Sequence, residues 1–257
     1  MTNKHHPVLI FYRLITLAFQ RMPFVFILSI GTFPILAQEA STDQGVSWYQ
    51  AGEYSRAREI FLQIIKDQPE HPVALYHLGR LETAHPAAEQ YYLQVLLHAP
   101  QHPYADDALL AVTRLQYQQG RYQDAVKACS RMLASYPNTD LKNEVRYWQG
   151  RALLANKQPV LARLTFLQLL TVAPESTFMM PTRLGIADTY RAESDFIEAA
   201  RLYLKFETDF PDSDSLRIAL LRAGESLDAS SRTKEAGHVY QRLINRFPDS
   251  PEAGRVR

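Results

Sequence analysis

Three arginines, Arg80, Arg114 and Arg151, each follow a small residue: Gly79, Thr113 and Gly150. The corresponding positions further along hold acids, Asp188 after Ala187 and Glu225 after Gly224. A guanidinium presents a planar fork of N–H donors that grips a carboxylate bidentately. Tyr76, His77, Tyr117, Tyr147 and Trp148 stand close by in sequence, and aromatic walls give apolar contact at low entropic cost. Such a set suits an extended or helical peptide segment carrying an acidic group or a C-terminal carboxylate. Its character is basic and aromatic toward the N-terminal half and acidic toward the C-terminal half. The alternative is that the arginines pair with acids on adjacent helices, Asp188 among them, or stay solvated.

Other chemistry finds little support. His71, His77, His85, His98 and His102 cluster in sequence, but Pro100 between His98 and His102 breaks the helical face a two-histidine metal site needs. Cys129 stands where its counterparts are aromatic and reads as a small buried apolar residue, with no base implied beside it. Asp106-Asp107 opens a helix, where negative charge meets the positive end of the dipole, and the acids of Asp209–Asp214 straddle a capping junction. There is no phosphate-cradling glycine loop, nucleophile elbow or zinc ligand set. The chain is therefore expected to be no enzyme and to take no cofactor or metal.

The elements that position these residues follow from an internal repeat. Ala57, Ala88, Ala125, Ala162, Ala199 and Ala236 recur at intervals of 31 residues and then 37. Four residues after each comes Phe61, Tyr92, Cys129, Phe166, Tyr203 or Tyr240, and twelve after each a proline, from Pro69 to Pro248. Periods of this length mark stacked helical hairpins. Proline lacks an N–H and clashes with the preceding turn, so the second helix (B) of each hairpin ends at or before it. The hydroxyls of Thr139, Ser176, Ser213 and Ser250 are placed to cap the next helix, and Pro72 and Pro103 suit a first helical turn.

Counting back from each alanine finds the first helix (A), with a small residue at Gly45, Gly79, Thr113, Gly150, Ala187 or Gly224 where the two helices must approach. Repeat two is short, and the spacing predicts a tight turn around Thr83–Ala87. One hairpin cannot bury its apolar face alone, so the repeats must stack into a continuous core. The tail Ser250–Arg257 reads as the first turns of an uncompleted helix A. Either it covers the last hairpin, or a partner does, or the chain is cut short there.

Across residues 41–250 the frame resembles the tetratricopeptide repeat family. The resemblance implies an all-α, right-handed superhelical solenoid of about six hairpins. It also implies a concave groove lined by helices A, which would make Arg80, Arg114, Arg151, Tyr76, Tyr117, Tyr147 and Trp148 a peptide-binding groove. The long junctions Arg131–Thr139 and Leu243–Ser250 resemble a bacterial envelope subset of that family. It includes the Tol-Pal-associated cell-division coordinator and the lipoprotein of the outer-membrane β-barrel assembly machine. Tyr147-Trp148-Gln149-Gly150 is similar to a helix-A motif of the coordinator. The coordinator's coiled coil and the lipoprotein's lipidated cysteine have no counterpart in this chain.

Residues 1–37 differ from the rest. They carry Lys4, Arg13 and Arg21 but no acid, and end in an apolar run from Met22 to Ala37. A basic start, an apolar stretch and a small residue at its end describe a secretory signal peptide, the alternative being an uncleaved anchor. The whole chain of 257 residues has 28 basic and 27 acidic residues, a net charge of +1. Removing the leader brings this to about −2, which offers no nucleic-acid footprint.

The domains expected are thus residues 1–37 as leader and 41–257 as repeat array. The function expected is a periplasmic scaffold or adaptor binding a segment of an envelope protein, with membrane contact only through an uncleaved leader. The alternative is a glycan-handling accessory in cell-wall or exopolysaccharide metabolism, its sugars stacked on Tyr117, Tyr147 and Trp148.

Overall fold

The computed structural model describes residues 41–257. The chain divides into two units, Met1–Glu39 and Ala40–Arg257, and only the second is described. The expected leader and its anchor alternative lie outside the described residues. All regular structure among the described residues is helical. Six hairpins follow one another: α1 (Thr42–Gln50) with α2 (Tyr54–Asp67), α3 (Pro72–Leu81) with α4 (His85–His98), and α5 (Ala105–Gln118) with α6 (Tyr122–Ser135). Then come α7 (Lys142–Ala155) with α8 (Pro159–Val172), α9 (Met179–Ala192) with α10 (Phe196–Asp209), and α11 (Leu216–Ala229) with α12 (Thr233–Arg246). A single turn, α13 (Pro251–Gly254), closes the array against α11 and α12. The architecture is a superhelical solenoid of stacked hairpins.

Every helix B stops two residues before its proline, as the missing N–H requires. The alanine frame is the buried seam. Ala57, Ala125, Ala162, Ala199 and Ala236 have no exposed surface, and Phe61, Phe166 and Tyr203 are fully buried beside them. Losing one such ring costs about 3–5 kcal/mol. The small helix-A residues sit directly under these rings. A Cβ added at Gly45 would lie 2.7 Å from the Phe61 ring, and one at Gly79 would lie 2.8 Å from that of Tyr92. Hairpin three solves the same contact with the sizes exchanged: Thr113 replaces the glycine and Cys129 the ring. Both are buried, and burial pushes the thiol up to about 12.

Two local expectations are corrected. The residues missing from hairpin two come out of helix α3, which has 10 residues where α5, α7, α9 and α11 have 14. Its turn, Glu82–Ala84, matches the others in length. The Glu82 carboxylate holds it by accepting from the amides of Thr83 and Ala84 at 2.9 and 3.1 Å. In every other hairpin the equivalent turn residue is left-handed: Gly52, Gly120, Lys157, Ser194 and Ser231. Likewise Thr139, Ser176 and Ser213 accept from the amides two residues on, closing a turn just before the helix rather than capping it. Only Ser250 is an N-cap, accepting from the amide of Ala253 at 3.1 Å. Pro72 opens α3 as expected, whereas Pro103 lies two residues before α5.

Candidate functional site

Successive helices A touch one another, α1 with α3, α5 with α7, α7 with α9 and α11 with α13, while no two successive helices B make comparable contact. The array therefore curves with helices A, the helices that carry the three arginines, on its inner side.

The three arginines share a register position and differ in environment. Arg114 on α5 forms an ion pair with Glu144 on α7, and the same Glu144 oxygen accepts from Trp148 Nε1 at 3.1 Å. Arg151 on α7 instead donates to the hydroxyls of Tyr147 and Tyr117, each at 2.9 Å. Its guanidinium lies 5.8 Å from the ring centre of Tyr147 and 5.4 Å from that of Tyr117. Burial works against its charge, but Tyr147 and Tyr117 outweigh that and hold its pKa above the ordinary arginine value. Arg80 on α3 is exposed and lies over Tyr49 at 5.0 Å and Tyr76 at 5.9 Å. Among the described residues, neither Arg80 nor Arg151 has a carboxylate within ion-pair distance.

The repeat register explains the difference. Glu144 stands 30 residues after Arg114; the residue 30 after Arg151 is Pro181, which offers no acid. The residue equivalent to Glu144 one repeat earlier is Asp107, a methylene shorter. It feels the charges of both Arg80 and Arg114 without closing an ion pair. Burial first, then the neighbouring Asp106, raise its pKa above the usual aspartate value.

The aromatic residues are brought together, in two groups. Tyr117, Tyr147 and Trp148 pack edge to face, Trp148 lying 5.4 Å from Tyr117 and 5.9 Å from Tyr147. Tyr76 is buried and stacks on Tyr104 at 4.5 Å. His77 is buried rather than facing the groove. It stacks on Phe61 at 4.9 Å, meets Tyr49 and Tyr104 edge-on, and has no hydrogen-bond partner for either ring nitrogen. Burial, with Arg80 adding to it, lowers its pKa to about 4.

Toward the C-terminus the expected acidic character is corrected. Asp188 receives both Arg222, at 2.8 Å to each oxygen, and the Tyr203 hydroxyl. Glu225 receives Arg191 at 3.2 Å and Arg255 at 2.9 Å. Both acids are thus neutralised from neighbouring elements. The pairing acid Glu144, the walls Tyr49 and Tyr104, and the arginines 191, 222 and 255 were not singled out from the sequence. A 30-residue offset was the signal for two of them, since Arg255 follows Glu225 as Glu144 follows Arg114 with the charges exchanged; Arg222 follows Asp188, and Glu225 follows Arg191, by 34. Among the described residues, no group of three or more His, Cys, Asp or Glu is placed to hold a metal ion. No described helix is long and apolar enough to cross a membrane.

A tetratricopeptide repeat model matches the chain over residues 42–106, 85–140 and 113–176, and a second such model matches residues 218–250. These matches span more than half of the chain, and the chain belongs to the tetratricopeptide repeat family. Among solved structures it is similar to pilF of Pseudomonas aeruginosa, with TM-score 0.58, 19% identity, and coverage of 84% of this chain and 94% of that one. It is similar to PilW, described as a widely conserved type IV pilus biogenesis factor, with TM-score 0.66, 16% identity, and coverage of 84% and 96%. YrrB, a repeat protein with an unusual peptide-binding site, matches with TM-score 0.54, 16% identity, and coverage of 76% and 96%. At such identities the likeness is one of fold. No curated protein matches the chain.

Proposed function

We propose that this protein is a non-enzymatic scaffold of the bacterial cell envelope whose inner face holds an acidic segment of a partner protein. Membership of a family built for protein interaction supports the general class. The basic, apolar leader supports export, and pilF and PilW are neighbours in fold. The observation that carries the binding reading is the state of Arg80 and Arg151. Each guanidinium lies against tyrosine rings and, among the described residues, has no acid within ion-pair distance, while Arg114 between them is taken up by Glu144. An arginine pre-positioned by aromatic hydroxyls loses little entropy when a carboxylate arrives. The glycan alternative rests on Tyr117, Tyr147 and Trp148. Those rings pack edge to face on one another.

The test is a crosslinking pull-down from envelope fractions with the wild-type chain beside an Arg80→Gln/Arg151→Gln variant. Recovery of a protein partner by the wild type and at least a tenfold loss by the folded variant is expected, with capture weakening as salt rises. A partner retained equally by both overturns the groove assignment. Salt-insensitive capture of oligosaccharide in place of protein favours the glycan reading.

A further inference from the structure

Helices α8 and α10 make little contact with each other, while α9 packs against both. The gap between them, floored by α9, holds a cavity of about 200 Å³. Its apolar lining is Leu167 and Leu170 from α8, Ile186 from α9, and Leu202 and Phe206 from α10. Arg183, Lys205 and Asp209 complete it.

The charges in that lining do not balance. The Asp209 carboxylate accepts from Lys205 at 2.8 and 3.1 Å and from Arg183 at 3.2 Å. Two cations share one acid, so one positive charge is left over beside an apolar hollow. The Arg183 guanidinium also lies 5.6 Å from the ring centre of Phe210, a contact that holds it in place before any ligand arrives.

The equivalent groove two hairpins earlier is built differently. Between α4, α5 and α6, Ala128 stands in the place of Leu202 and buried Leu109 in that of Arg183. Gln116, Asp124, Lys127 and Arg131 line that groove, and its volume is about 360 Å³. A wide polar trough in one hairpin is thus a smaller apolar hollow in the other.

We propose that the cavity between α8, α9 and α10 is a docking site for a protein segment that inserts one large apolar side chain with a carboxylate beside it in sequence. A cavity of about 150 Å³ takes up a benzene ring, so this one accommodates a phenylalanine or leucine side chain. The adjoining carboxylate meets the surplus charge of Arg183 and Lys205. Exposed Leu164, three residues before Leu167 on α8, carries apolar contact beyond the cavity, which suits a chain segment better than a free small acid. The site shares no residue with Arg80 and Arg151 and stands or falls apart from them.

The experiment is an NMR titration of the full chain carrying Arg80→Gln and Arg151→Gln, so that those arginines do not contribute. The probe is the capped peptide acetyl-Ala-Phe-Glu-Ala-amide, and the methyl signals of Leu167, Ile186 and Leu202 are expected to shift. Glutamine in place of glutamate should weaken binding about fivefold, the worth of one exposed ion pair, and alanine in place of phenylalanine should abolish it. Lys205→Glu, at a half-exposed side chain, should also abolish it with the circular dichroism spectrum unchanged. Lys127→Glu, exposed in the equivalent groove, should leave it intact. No binding of the first peptide, equal binding of its glutamine counterpart, full binding by Lys205→Glu, or shifts confined to helices other than α8, α9 and α10 overturns the proposal. Binding of 3-phenylpropionate as tight as that of the peptide overturns the choice of a chain segment.

Discussion

The same register position behaves in opposite ways in the two halves of the array. In the N-terminal half it holds Arg80, Arg114 and Arg151, and two of the three are left to tyrosines. In the C-terminal half it holds Asp188 and Glu225, and each is bound by arginine from a neighbouring element. The halves differ in what stands one helix away. Pro181 and the short Asp107 leave arginines unpaired, whereas Arg222, Arg191 and Arg255 are long enough to reach their acids. Availability for a ligand is thus a property of the pair of positions, and charge at one position does not reveal it.

The sharpest test of that contrast is Asp188→Ala. It strips the partner from Arg222 and from the buried Tyr203 hydroxyl, and is expected to cost about 3 kcal/mol in urea unfolding. A loss below about 1 kcal/mol would mean the C-terminal acids are not structural. Next is acid. The unfolded state binds the His77 proton near pH 6.5 and the folded state only near pH 4, so the neutral ring's contribution is complete above about 6.5 and is lost as pH falls toward 4. The raised carboxyl of Asp107 offsets part of this at the acid end. About 2 kcal/mol of acid lability is expected in α1–α5, read by hydrogen exchange. The last three hairpins, with His238 as their one histidine, should be spared, and His77→Phe should flatten the dependence.

Smaller still is the exchange of sizes in hairpin three. Cys129→Phe alone is expected to cost about 1–2 kcal/mol through overpacking against Thr113, and Thr113→Gly should restore most of it. Independent effects of the two changes would sink the complementarity. Least of all, Arg80→Gln and Arg151→Gln should each shift stability by less than about 1 kcal/mol while weakening partner capture. A large loss of stability would make them structural, and erase the difference between the halves.

Much of this was legible in the residues. The alanine, ring and proline positions gave the helices B and their ends, because proline chemistry acts locally. The small residues gave the contact that each ring fills. The deficit in hairpin two was visible as a number, yet spacing counts residues without saying whether a turn or a helix end gives them up. The hydroxyls were found, but Thr139, Ser176 and Ser213 stand two residues before the observed helix caps, since those junctions spend two further residues turning. His77 looked like a groove residue because its helix was right; its rotation about that helix was set by Tyr49, Phe61 and Tyr104, all distant in sequence.

The sequence by itself determined the repeat, the helical class and the place of every seam residue, since those follow from periodicity, proline geometry and side-chain size along one chain. Only the tertiary structure decided which charged groups are satisfied. An ion pair depends on reach and on what the next hairpin offers at that height, and stacking the hairpins is what brings Glu144 to Arg114, Arg222 to Asp188, and no acid to Arg151.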